Sequence, residues 1–237
     1  MAGLTGQYIK VKRSKNGVIT YGGDQGFFTG ESEDSAEARK RRMGCGIVAF
    51  GDMLLYLAGQ NRRYRFKESE RYINRVLSEE EYKDYFNYMY GFLGGLPAKG
   101  GNGLSGFRLQ GRFNRMARSE KWNLRARWGF SGRKIYDRMT EMLERGIPVI
   151  LCIPLMIFKK DKEEGITFYK KEKDVYSRQC TVSAHYVVVT EVLNENDDIY
   201  LGISSWGAKY YVNWKEYLKL IHTHFLGTIL GNILYIK

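Results

Sequence analysis

Three cysteines and three histidines are the side chains of this 237-residue chain best suited to nucleophilic chemistry. The cysteines stand at 45, 152 and 180, too few, too odd in number and too far apart for a disulfide framework or a structural zinc site. Each must be judged by its surroundings. Cys45 opens the most apolar helical stretch of the chain, Cys45 to Gly59, directly behind Gly44. A helix N-terminus carries unpaired N–H groups and a positive potential, which favour the thiolate, the nucleophilic form of the side chain. Gly44 and Gly46 leave room beside it for a substrate. Cys152, inside Ile-Leu-Cys-Ile-Pro, reads as an inert core thiol, and Cys180, in a polar segment, as incidental.

A thiol nucleophile needs a base, and the base needs a group to orient it. His185 begins an apolar, β-branched run, Ala184 to Val192, where a solvated imidazole would serve no structural purpose. A hydrogen-bonded core histidine is the plain alternative. His222 and His224 form a His-Thr-His near a helix end; that spacing is a weak metal signal, and both read as surface polar residues. Asp52, two helical turns after Cys45, reads as an anchor for a loop or an arginine rather than a member of the chemistry.

The elements that must position these residues follow from periodicity and punctuation. Apolar residues at 47, 50, 54 and 57 give the Cys45 helix its period. Ser78 with Glu81 three residues on predicts a capping box and a second helix. Further helices are expected over Phe107 to Ala117, over Lys134 to Arg145 with Gly146 as the stop, and over Trp214 to His222. Strands are expected at 147–153, 184–192, 199–204, 209–214 and 228–236, with a short hairpin at 7–13 and 17–21. The stretch from Gly91 to Gly106 has seven glycines in sixteen residues. It predicts a loop, with Gly100 to Gly103 as a candidate cleft wall. Helices lead and strands follow, without βαβ alternation, so the fold class is α+β. A single domain, 1–237, is expected, with a helical lobe over about 22–145 packed on an antiparallel sheet lobe over about 146–237.

Met43-Gly44-Cys45-Gly46 at the start of an apolar helix, His185 at 140 residues downstream, and Ile203-Ser204-Ser205-Trp206-Gly207 on a following strand form an ordered series. That series resembles the papain-like cysteine peptidases, including the bacterial enzymes that process bacteriocin leaders; these place the histidine about 130–150 residues after the cysteine. The resemblance implies a papain-like α+β fold, with Cys45 as nucleophile and His185 as base. It implies a peptide or protein substrate, an acyl-enzyme intermediate, and neither a metal nor an organic cofactor. Two positions depart from the family pattern. Ser204 stands where the orienting asparagine would be, and its hydroxyl has a shorter reach. Arg39 stands where an oxyanion-binding glutamine would be, six residues before the cysteine, so Gln25 in the glycine-rich Gly22–Phe28 loop is the substitute. These departures keep two alternatives open: a catalytically silent papain-fold binding protein, and an acyltransferase or deamidase using the same site.

The formal charge of +12 favours association with polyanions. The densest basic run, Arg39 to Arg42, directly precedes Cys45. A nucleic-acid binder ranks last among the readings, because no recognised module is present and the charge reads as spread along the chain. No apolar run approaches the ~20 residues of a membrane span, and the N-terminus lacks a signal-peptide core, so a cytoplasmic location is the expectation.

Overall fold

The computed structural model describes residues 2–30, 32–96, 103–154, 165–195, 197–222 and 226–237. In chain order the strands are β1 (Ala2–Gly3), β2 (Lys10–Lys12), β3 (Val76–Ser78), β4 (Ala126–Trp128), β5 (Val149–Ile153) and β6 (Ile166–Glu172). They continue with β7 (Val175–Val182), β8 (His185–Glu195), β9 (Asp198–Ser205), β10 (Ala208–Asn213) and β11 (Ile233–Ile236). The helices are α1 (Ala36–Met43), α2 (Cys45–Gln60), α3 (Glu79–Leu93), α4 (Gly106–Ser119), α5 (Ile135–Glu144), α6 (Trp214–His222) and α7 (Gly227–Leu230). This is an α+β architecture built on a large antiparallel sheet.

Among the described residues the sheet has nine strands, in the order β4-β11-β5-β8-β9-β10-β6-β7, with β1 added beside β8. β8 is its spine. It pairs with β5 through Ile153↔His185 and Cys152↔Tyr186, and with β9 through Val188↔Ser204 and Val189↔Ile203. β5 is buried along its whole length, as a strand covered on both faces must be. α2 is buried from Gly46 to Ala58 apart from Val48, wedged between β8 and α3. A helix apolar on all sides is stable only in such an interior position. The expected capping box is present: Ser78 Oγ accepts from Glu81 N–H, and Glu81 returns a bond to Ser78 N–H at 2.8 Å. At the open edge of the sheet, β4 is covered by α4. Asn114 exchanges two hydrogen bonds with the Ala126 backbone (2.8 and 2.9 Å), and Gln110 Oε1 accepts from Trp128 N–H at 2.6 Å. Side chains thus satisfy an edge that would otherwise invite another strand.

Several expectations are corrected. The hairpin at 7–21 reduces to one bridge, Lys12↔Ile19, because β2 pairs in parallel with β3 instead. The stretch 228–236 divides into α7 and β11. The lobes are not separated at residue 146, since β1 and β4 come from the first part of the chain and join the sheet. α1 and the β6–β7 hairpin carried no readable period: α1 is charge-rich, and β7 is exposed along most of its length. Residues 100–102 of the candidate cleft wall and His224 lie outside the described residues. Among the described residues, no single helix is long and apolar enough to cross a membrane.

One clamp ties the two parts of the molecule together. Asp52, fully buried on α2, accepts from Gly23 N–H at 2.8 Å and from Tyr82 Oη–H at 2.7 Å. The same Tyr21–Gly23 loop receives Ser204 Oγ–H at Tyr21 O (2.9 Å) and exchanges backbone hydrogen bonds with Gly207. Gly22 sits at φ +82, and a Cβ there would lie 2.1 Å from Ser204 Oγ and 2.7 Å from Asp52 Oδ2. Gly22→Ala is therefore expected to destabilise the protein by about 2 kcal/mol or more, from the left-handed backbone and the overlap together. Urea unfolding measures it, and an unchanged midpoint would remove the clamp from the account.

Candidate active site

Cys45 is the first residue of α2. Gly44, its N-cap, offers no side-chain hydrogen bond; Ile47 N–H is already bonded to Gly44 O at 2.9 Å, which leaves the Cys45 and Gly46 N–H groups at the open end of the helix. α1 and α2 meet there at 71°, which turns the helix start toward β8. His185 is the first residue of β8, at a strand end where a buried side chain can still meet a cavity. Cys45 and His185 line the same two adjoining spaces. One is a cavity of about 350 Å³ walled also by Leu104, Trp128, Ile153 and Leu230. The other is a gap of about 10 Å³ that Gln25, Asp52, Ser204, Ser205 and Trp206 also line. No hydrogen bond joins Cys45 to His185 among the described residues.

The imidazole is held from two sides. Its Nε2 lies 2.7 Å from Ser205 Oγ, and its ring stacks on Trp206 with centroids 4.7 Å apart and planes at 27°. Trp206 and Gly207 form the two-residue β9–β10 turn, both at positive φ (49 and 68), as the twist of such a hairpin demands. Trp206 is thereby delivered onto the ring by the turn itself. The residue that contacts the imidazole is Ser205, and the expectation for Ser204 is corrected. Neighbouring residues on a strand face opposite sides of the sheet. With Ser205 directed at His185, Ser204 is directed at Tyr21 and the Asp52 clamp. That alternation is the signal in the sequence that separates the two serines.

Gln25 is brought to the site despite its distance in sequence. It opens a 3-10 turn, Gln25–Phe27, whose N-cap Asp24 accepts from Gly26 N–H at 2.7 Å and pairs with Arg13. Its Nε2 donates to Arg41 O at 2.7 Å. An amide nitrogen carries two hydrogens, so one donor remains available toward the gap. Cys152 lies in the core as expected and also forms part of the cavity wall, opposite Tyr186 in the β5–β8 register. Burial pushes its thiol up to about 12, so it is a protonated wall residue.

Electrostatics decide the resting state of the pair. Cys45 keeps a partly exposed surface, but close packing around its sulfur pushes the thiol above its ordinary value. The N–H groups of Tyr186, Gly46 and Cys45 itself act in the opposite sense, and burial prevails. Burial also lowers His185 to about 4. Thiol and neutral imidazole are therefore the resting forms near neutrality, not the ion pair expected from the helix terminus alone. Asp52, in the same neighbourhood, is pushed up to about 6 by burial against the hydrogen bonds from Gly23 and Tyr82.

The chain matches no family model, no curated protein and no solved structure.

Two pH experiments follow. His185 is expected to titrate near 4 by NMR rather than near its ordinary value of ~6.5. The stability gained by keeping it neutral is present above about 6.5 and is lost as pH falls through about 4. Alkylation of Cys45 by iodoacetamide, resolved by mass spectrometry, is expected to rise only above the ordinary thiol range of ~8.5. An inflection below pH 7 that disappears in His185→Ala would instead establish a resting ion pair.

Proposed function

We propose that this protein is a papain-like cysteine peptidase that hydrolyses peptide bonds through Cys45 and His185. The observation that carries the reading is a single one. A cysteine at an uncapped helix start and a histidine held by Ser205 and Trp206 open onto one cavity large enough for a peptide side chain. The order of Cys45, His185 and the Ser-Trp-Gly turn along the chain adds to it.

The chemistry runs through the chain's own groups and water. With the Nε2 proton donated to Ser205 Oγ, His185 presents the Nδ1 lone pair as base, the tautomer this role requires. Cys45 Sγ attacks the carbonyl carbon while its proton passes to His185. Concerted transfer suits a pair that is neutral at rest, and it forms the imidazolium only as charge develops on the oxyanion. That oxyanion takes the Cys45 N–H and the remaining Gln25 amide hydrogen. Collapse breaks the C–N bond, and His185 returns the proton to the leaving amine. Water, deprotonated by His185, then attacks the thioester, and the departing sulfur recovers a proton. Ser205 acts as a positioning residue throughout.

A second reading has an observation in its favour. Burial shifts Cys45 and His185 toward their neutral forms, and among the described residues no carboxylate or asparagine hydrogen-bonds the imidazole, as a silent papain-fold binding protein would tolerate. Turnover of a quenched-fluorescent peptide library separates the two. On the peptidase reading, Cys45→Ala abolishes cleavage, and Ser205→Ala lowers kcat by about 10- to 100-fold with a smaller change in KM. Ser204→Ala acts mainly on stability. Absence of any cleavage from pH 5 to 9, with Cys45 intact and unoxidised, would leave the binding protein as the reading.

A further inference from the structure

The positive charge of this protein is concentrated, contrary to the impression of an even spread. Residues 106–136 hold nine Lys or Arg side chains and one acid, Glu120, and so supply a net +8 of the chain's +12. This segment begins with α4, whose start forms a wall of the active-site cavity through Gly106 and Phe107. The buried side of α4 is Leu109, Phe113, Met116 and Ala117. On the opposite side, Phe107, Gly111, Arg115 and Arg118 follow one another at intervals of four, four and three residues, which places them in one exposed stripe.

The fold accounts for some of these residues and not for others. Arg108 donates to Leu93 O at 2.7 Å and Gly94 O at 2.6 Å, closing the end of α3. The side chains of Arg115 and Arg118 enter no ion pair or hydrogen bond among the described residues. A Cβ on Gly111 would meet nothing within 4 Å, so packing within the chain does not call for glycine there. A mid-helix glycine costs about 1 kcal/mol relative to alanine. What it leaves is a shallow passage between the two exposed ends of the stripe. At the cavity end Phe107 is 47% exposed, and its ring lies 5.4 Å from that of Phe130, itself 61% exposed. An apolar cavity, an exposed aromatic rim, a bare helix surface and two unpaired guanidinium groups thus lie in sequence.

We propose that this stripe is a substrate-binding track for an acidic polypeptide. An apolar side chain would enter the cavity, the chain would cross Gly111, and carboxylates would meet Arg115 and Arg118. The path from Phe107 to Arg118 is about 16 Å along the helix, roughly five residues of extended peptide. Carboxylates therefore belong about four to six residues from the residue held in the cavity. Arginine suits this role because its planar fork engages carboxylates in pairs of hydrogen bonds. An acidic peptide is favoured over a nucleic acid because the track leads into an apolar cavity beside Cys45, and the exposed aromatics, Phe107 and Phe130, stand at the cavity mouth rather than in a row beside Arg115 and Arg118. The inference rests on the peptidase reading of the site.

The test uses full-length Cys45→Ala and two labelled peptides of about ten residues. Each has a leucine and, about four residues on, either four glutamates or four glutamines. Fluorescence anisotropy is expected to show the glutamate peptide binding at least tenfold more tightly at about 50 mM salt, with most of that advantage gone at about 300 mM. Arg115→Glu with Arg118→Glu, both at exposed positions, is expected to erase the preference. Gly111→Leu, which fills the passage without altering charge, is expected to weaken the glutamate peptide as well. Equal binding of the two peptides overturns the track, as does tighter binding of a uridine oligonucleotide of the same charge. The wild-type chain distinguishes this failure from that of the peptidase reading. Cleavage of both peptides with equal kcat/KM would remove the track and keep the peptidase. Selective binding without cleavage would keep the track and remove the peptidase.

Discussion

The buried carboxylate of Asp52 is the constraint on which the rest of the site depends. It stands on the helix that begins with Cys45, and it holds the Tyr21–Gly23 loop and α3 through two hydrogen bonds. That loop also grips the β9–β10 hairpin through Ser204 and Gly207, and the hairpin carries Ser205 and Trp206 onto His185. Cys45 and His185 come from elements far apart in sequence, and this small polar joint fixes their relation. A buried carboxylate is tolerated only when its acceptors are occupied, so loop, tyrosine and helix are interdependent.

The site is largely buried and apolar rather than charged. Burial is the first cause of the shifts at Cys45, His185 and Asp52, ahead of any hydrogen bond. Burial strengthens each dipole that acts within the site, including the three N–H groups near the Cys45 sulfur. It also disfavours separated charge, so the same packing suppresses the resting thiolate; on the peptidase reading proposed above, charge would develop only as a carbonyl reacts.

The protein divides its surface from its interior with little overlap. Charge on the α1 run is partly met at once: Arg41 and Arg42 reach Glu33 at 3.4 and 2.8 Å. Exposed pairs of this kind contribute little to stability. The cations of α4 are different in consequence, because the helix that carries them also closes the sheet edge and walls the cavity. One amphipathic helix serves the core, the edge and the approach to the site.

The amino-acid sequence determined the elements whose signals are local. The Cys45 helix, the Ser78–Glu81 capping box, the Trp214–His222 helix and the strands around β5, β8, β9 and β10 were legible because period, cap and turn residues lie within a few positions of one another. Cys45, His185 and Gln25 were legible as residue types in suitable settings, and the structure brings all three to one small gap. The choice between Ser204 and Ser205 was not legible by motif, because it depends on which face of β9 meets β8 and on a two-residue turn that aims Trp206. The protonation of the pair was not legible either. A helix N-terminus is a local feature that favours thiolate, whereas desolvation is the sum of everything packed around the sulfur. Only the tertiary structure could decide it, since local dipoles are written in the chain and burial is created by the fold.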